Sequence, residues 1–235
     1  MRPLWALLLA LLAAPAARAA ERERALPEPS AESWQPLEFP RIPKHTRYER
    51  VGDGGRAVLR AITECAASAL LTPLEGVDLA ATPRLRWRWK VSVPLDTTAP
   101  ERERDGDDFA ARVYVAFAFE PERASLFERA RHRVGTSIYG EELPGIALNY
   151  VWSRGEPAGS HWENPFSANA KMLSLGPAPR GVWREADVDV LADYRRVVGG
   201  DPPPALFVAL MSDSDNSCSR AEASYADFRL VGAAE

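Results

Sequence analysis

The chain of 235 residues has only three histidines, His45, His132 and His161, and they are too dispersed to form a metal-ligand spacing. It carries no G-x-S-x-G, no P-loop and no G-x-G-x-x-G, which removes the common nucleophile-elbow and nucleotide-binding readings. There is no basic excess: the formal charge is −4, so nucleic acid is not an expected partner. Cysteine is nearly absent, at two residues. Only one long apolar run exists, Leu4 to Ala14, and it is too short to span a bilayer. No internal repeat and no βαβ rhythm is seen.

What the N-terminus does contain is a short basic start at Met1-Arg2, that apolar run, and the small-x-small triplet Ala17-Arg18-Ala19. This is the layout of a secretory signal, with residues 1–19 removed and a mature chain starting near Ala20. The competing reading is an uncleaved anchor, which the lack of a second span disfavours. No cysteine stands at the boundary to take a lipid. Loss of Arg2 and Arg18 takes the charge to −6. The expected location is the periplasm or the exterior. There Cys65 and Cys218 are free to bridge, or else they pack as two buried thiols.

Residues 20–44 are rich in Glu, Arg and Pro and lack any period. They are expected to be a flexible linker or extended arm, with Trp34 and Phe39 able to pin its end. A domain then runs over residues 45–235. Its most regular stretch is Arg84 to Val93, RLRWRWKVSV. Leu85, Trp87, Trp89 and Val91 alternate with Arg84, Arg86, Arg88 and Lys90, the period of a strand with one buried face. In Arg56 to Leu71 alanine favours helix while the flanking turn favours strand, and two β segments broken near 64–67 are expected. Further strands are expected at 45–51, 110–119, 147–153, 171–175, 181–189, 205–211 and 221–231. Residues 154–168 are read as loop. Helices are expected at 121–133 and, capped by Asp189, through Val198. The predicted class is therefore all-β: an antiparallel β-sandwich or jelly roll with one or two short peripheral helices.

Several motifs in order carry a resemblance: W-R-W-K at 87–90, G-D-D-F-A-A-R-V-Y-V at 106–115, L-N-Y-V-W at 148–152, D-Y-R-R-V-V-G at 193–199, M-S-D-S-D-N at 211–216, and A-x-Y-A-D-F at 223–228. On these the chain resembles an exported bacterial family known as domain of unknown function 3047. The resemblance implies an exported β-sandwich and lends no activity. It covers roughly residues 45–231. Cys218 departs from it, standing where a small residue is expected.

Three constellations bear chemistry. Arg86, Arg88 and Lys90, with Arg84, make a cationic sheet face, either a groove floor for a polar or anionic ligand or a solvated face paired with neighbouring strands. Asp107, Asp108 and Arg112 would complete such a groove at the mouth of the next strand. Asp213, Asp215 and Asn216 follow an apolar strand. They suit an Asx-turn, a polar contact to ligand, or a calcium ion, although the EF-hand pattern fails. Glu185 and Asp187, at i and i+2 on one strand face, would serve as paired carboxylates of a glycoside-acting enzyme. The leading expectation is a non-catalytic domain binding a carbohydrate or other polar ligand without a cofactor; the alternatives are that enzyme and a structural envelope protein.

Overall fold

The computed structural model describes residues 23–122, 124, 129 and 144–232. It is a sandwich of two sheets. The first has the order β11-β6-β13-β4-β3, with β1 added along part of β13; the second has the order β2-β5-β12-β7-β8-β10-β9. The strands are β1 Glu23–Ala25, β2 Gln35–Leu37, β3 Arg47–Asp53, β4 Arg56–Glu64, β5 Ala67–Pro73, β6 Arg84–Val93, β7 Arg112–Phe117, β8 Ile146–Val151, β9 His161–Asn164, β10 Ser167–Ser174, β11 Arg184–Asp189, β12 Ala205–Asp213 and β13 Arg220–Val231. One helix, α1 at Val190–Val197, follows β11, and the Asp189 side chain accepts a hydrogen bond from the Ala192 amide at its start. The helix expected at 121–133 lies largely outside the described residues.

The alternation in β6 places Leu85, Trp87 and Trp89 in the core, all fully buried, and turns the four cations outward. Trp87 packs edge-on against Trp89 at 5.2 Å and meets Tyr150 of the facing sheet at 5.9 Å. Trp89 reaches Trp152 at 5.7 Å. Such offset and edge contacts add to the burial of very large apolar surfaces. The alanine-rich stretch 56–71 is β4 and β5: Ala61 is buried in the core between the sheets, while Ala67 and Ala69 are buried on the outer face of the second sheet against Leu37, Phe39 and Ile42. Local helix preference yields to sheet packing here.

Of the two forms expected for residues 20–44, the described part takes the second. The segment is an extended arm that adds one strand to each sheet and buries Leu26 and Trp34, the latter edge-on to Phe228 at 5.1 Å. A few apolar anchors outweigh the polar composition around them. The all-β sandwich class holds, with one parallel pair, β8 and β10, among otherwise antiparallel pairings of the described strands. The chain leaves β8, returns along the loop at 152–160 and turns through β9, so β10 runs in the direction of β8. Finally, residues 161–168 are not loop; β9 and β10 form a hairpin.

The β4–β5 and β12–β13 connections both cross from one sheet to the other, and they lie side by side. β4 pairs with β13, and β5 with β12. A Cys65–Cys218 disulfide joins the two crossings, with Cα atoms 3.9 Å apart. The Ser214 amide donates to the Ala66 carbonyl at 2.9 Å, and the Thr63 and Ser214 hydroxyls meet at 2.9 Å.

Candidate functional site

The outward cations of β6 are all engaged. Arg84 and Arg86 reach Asp187 at 2.8 and 3.0 Å, Arg88 reaches Asp227 at 3.0 Å, and Lys90 pairs with Asp53. Asp227 reaches out through a bulge in β13, where its own φ is +60°. Trp183 lies against this face, with Arg88 and Lys90 4.8 and 5.0 Å from its ring and its indole N–H donating to Asp53 at 2.9 Å. Glu185 pairs with Arg229 at 3.0 Å. Each carboxylate proposed for catalysis therefore pairs with a neighbouring arginine on an open sheet face. Such exposed pairs contribute a few tenths to about 1 kcal/mol each.

The other sequence-predicted residues meet on the opposite side of the sandwich, outside the seven-stranded sheet. Val113, Val115 and Phe117 of β7 face the core, so Arg112 and Tyr114 face outward. Arg112 is registered against Met211 of β12, and that pairing brings the 106–112 motif beside the 211–216 motif. Arg112 is nearly fully buried and pairs with Asp213; its second terminal nitrogen lies 3.7 Å from Asp107. The Phe109 amide donates to Asp213 at 3.3 Å. Asp108 accepts from the amides of Asn216 and Ser217 at 3.2 and 2.6 Å and from the Asn216 side chain at 3.1 Å. Asp107, Asp108, Arg112, Asp213, Asp215 and Asn216 thus form one cluster, while Arg86, Arg88, Lys90, Glu185 and Asp187 lie on the far sheet.

Asp108, Asp213 and Asp215 bring carboxylate oxygens within 4.8 Å of one another, the arrangement that raised calcium. Their chemistry does not fit it. Asp108 is occupied by three N–H donors, and Asp213 by an amide and the Arg112 guanidinium. A hard cation needs free oxygen ligands and would sit against a fixed positive charge. The carboxylates instead close the loops. Burial pushes the Asp107 carboxyl above the ordinary Asp range, and burial followed by the charge of Asp108 does the same to Asp215.

Residues not singled out from the sequence complete the site. Asn149 of β8 is fully buried beside Tyr114 and Met172, its amide nitrogen 3.1 Å from the Met172 sulfur. Asn164 donates to Asp107 at 2.6 Å and accepts from the amides of Phe166 and Ser167 at 2.9 and 3.2 Å, so the β9–β10 turn is tied to the cluster. Glu101, also buried, accepts from the Ser153 hydroxyl and the Arg154 amide at 2.5 and 2.6 Å and fixes the neighbouring loop. The Asn-Pro pair at 164–165 was the available turn signal for Asn164. Asn149 and Glu101 carry no local signal, because only the register makes them neighbours.

Among solved structures, the chain is similar to a family 30 carbohydrate-binding module of a cellulosomal cellulase from Clostridium thermocellum. The identity is 12%, with a TM-score of 0.45 over 91% of this chain and 99% of that one. It is also similar to a family 11 carbohydrate-binding module of the same organism in complex with a β-1,3-1,4-mixed-linked tetrasaccharide. That match has 9% identity and a TM-score of 0.47 over 92% of this chain and 99% of that one. A family 12 xyloglucanase from Bacillus licheniformis follows at 7% identity and a TM-score of 0.43, over 91% and 100%. No curated protein matches. The profile of the family described as protein of unknown function DUF3047 matches residues 32–229, and the chain belongs to that family.

Proposed function

We propose that this is an exported, non-catalytic β-sandwich domain that binds a carbohydrate or other polar ligand. In this reading the ligand lies on the outer face of the seven-stranded sheet, at the end closed by Arg112. The supporting observation is a group of buried polar atoms without a hydrogen-bond partner. Asp107 Oδ1, Arg112 Nε, Asn149 Oδ1 and Trp162 Nε1 all belong to this side of the molecule, whereas the comparable Trp87 and Trp89 indole nitrogens lie in the core between the sheets. Buried polar groups are normally satisfied, so such a concentration marks a place built for something other than packing. Two of the four are donors and two are acceptors. Hydroxyl groups both donate and accept, so a polyhydroxylated ligand matches the set. The half-buried Tyr114 ring and the Asn164 amide border it.

Export is supported by the N-terminal signal layout and by the disulfide, which persists in oxidising compartments. Among the described residues no helix is long and apolar enough to cross a membrane. The glycan-binding reading is tested with residues 20–235, kept oxidised, on a glycan array and by thermal shift. A stabilising glycan is expected to lose its effect on Tyr114→Ala and to keep it on the double variant Arg88→Ala/Lys90→Ala. The reverse pattern would return the site to the cationic face.

A further inference from the structure

We propose that Phe166 is the aromatic platform of this site and that the ligand it takes is an uncharged sugar ring; this rests on the binding reading above. Phe166 and Val182 are the two large apolar side chains left exposed among the described residues, and Phe166 is 53% exposed. A lone exposed phenylalanine is unremarkable on a loose loop. This one stands on a fastened turn. Pro165 restricts the backbone before it, the Phe166 and Ser167 amides both donate to Asn164 Oδ1, and the other end of that amide is held by Asp107. The ring is therefore presented in a fixed position and linked through one side chain to the buried polar cluster.

Arg104 lies over the Phe166 ring, 5.0 Å from its centroid. Among the described residues no carboxylate pairs with this guanidinium, so its fork of donors is free to meet hydroxyl oxygens. One step further in, Arg102 lies 5.2 Å from the Trp162 ring and is held by Glu156 at 2.8 and 2.7 Å, which fixes the inner aromatic as well. A pyranose ring has one face of C–H groups and a rim of hydroxyls. It suits an aromatic surface bordered by mixed donors and acceptors.

Charge decides the class. Four carboxylates, Asp107, Asp108, Asp213 and Asp215, stand against two guanidinium groups, Arg112 in the cluster and Arg104 at the platform, so the excess charge at the site is negative. An acidic sugar would bring a carboxylate toward four others in a low-dielectric setting, where like charges repel strongly. A neutral ring meets no such opposition.

The test uses oxidised residues 20–235 as the parent with Phe166→Ala and Phe166→Trp. An array of neutral hexo- and pento-oligosaccharides together with oligogalacturonate and oligoalginate selects the strongest binder, and titration calorimetry measures it. The strongest binder is expected to be neutral. Phe166→Ala should bind it at least about tenfold more weakly, or ~1.4 kcal/mol, while Phe166→Trp stays close to the parent. All three should melt alike, since the side chain is exposed. An acidic glycan as strongest binder would overturn the ligand class. An unchanged affinity in Phe166→Ala would overturn the platform and leave the binding reading standing. No binder at all in the parent would reject that reading, and this inference with it.

Discussion

The disulfide offers the cleanest energetic test. Cys65 and Cys218 are 153 residues apart, so the bridge removes a very long loop from the unfolded ensemble. The chain-entropy relation gives about 17 cal/mol/K for that length, or roughly 5 kcal/mol at 25 °C. This is an upper figure. The two crossings stay stitched by the Thr63–Ser214 and Ser214–Ala66 contacts when the bridge is absent, and measured values centre on about 2–4 kcal/mol. At about 2–4 °C per kcal/mol for a chain of this size, loss of the bridge should lower the melting temperature by roughly 5–15 °C. Both cysteines have positive φ, +49° and +53°, where glycine is at ease and serine is not. Cys65→Gly should therefore melt above Cys65→Ser although neither can form the bridge, which separates turn conformation from cross-linking. Melts are run on protein isolated without reductant, then with it. Reductant should bring the parent down and leave the variants unmoved. Two titratable thiols in the unreduced parent, or a parent indifferent to reductant, would refute the reasoning.

Arg112→Leu leaves Asp213 buried and without its cation, at a cost of about 3–5 kcal/mol, whereas Arg112→Met/Asp213→Leu should recover much of the loss; denaturant titration of both reads the difference, and equal stabilities would reject a paired buried charge. Trp34→Ala should cost about 3–5 kcal/mol, because the indole is 2% exposed and packs on Phe228; a loss under 1 kcal/mol would mean that the arm is not docked in solution. Asp107 has a raised folded-state pKa, so between the ordinary Asp value and that raised value the folded chain holds more protons than the unfolded one. Its contribution to stability must then grow as pH falls through that window, and Asp107→Asn should remove the growth; the check is parent-minus-variant stability at stepped pH, and a difference that shifts against the parent on acidification would contradict the assignment.

The parts of the fold legible in the sequence are those set by neighbours along the chain. The period of two in β6 named which side chains enter the core, and Asp189 announced the start of α1. What stayed hidden depends on register. Asp187 and Asp227 neutralise the β6 cations only because β11 and β13 flank that strand, and no local pattern says so. The motifs at 106–112 and 211–216 were visible as separate oxygen-rich turns. Their union follows from the pairing of β7 with β12 across roughly a hundred residues. The β9–β10 hairpin was obscured by glycine and proline in the preceding loop. The arm was legible as one of two alternatives with Trp34 as its pin, but its pairing was not, since Leu26 and Trp34 are too widely spaced to make a period.

The way β13 is flanked has a consequence for processing. Along its first half this strand is bonded on one side by β4, and over its last residues that side is taken up by β1 instead, with Glu23 to Ala25 against Arg229 to Val231. Three residues at the very start of the described chain therefore cap a strand that would otherwise end in open N–H and C=O groups, beside the apolar surface that Trp34 covers. Any proteolytic trimming past Ala25 would convert that capped end into an adhesive edge, able to recruit an extended segment from a second molecule. Whether β1 is retained would then govern whether that end of β13 stays covered.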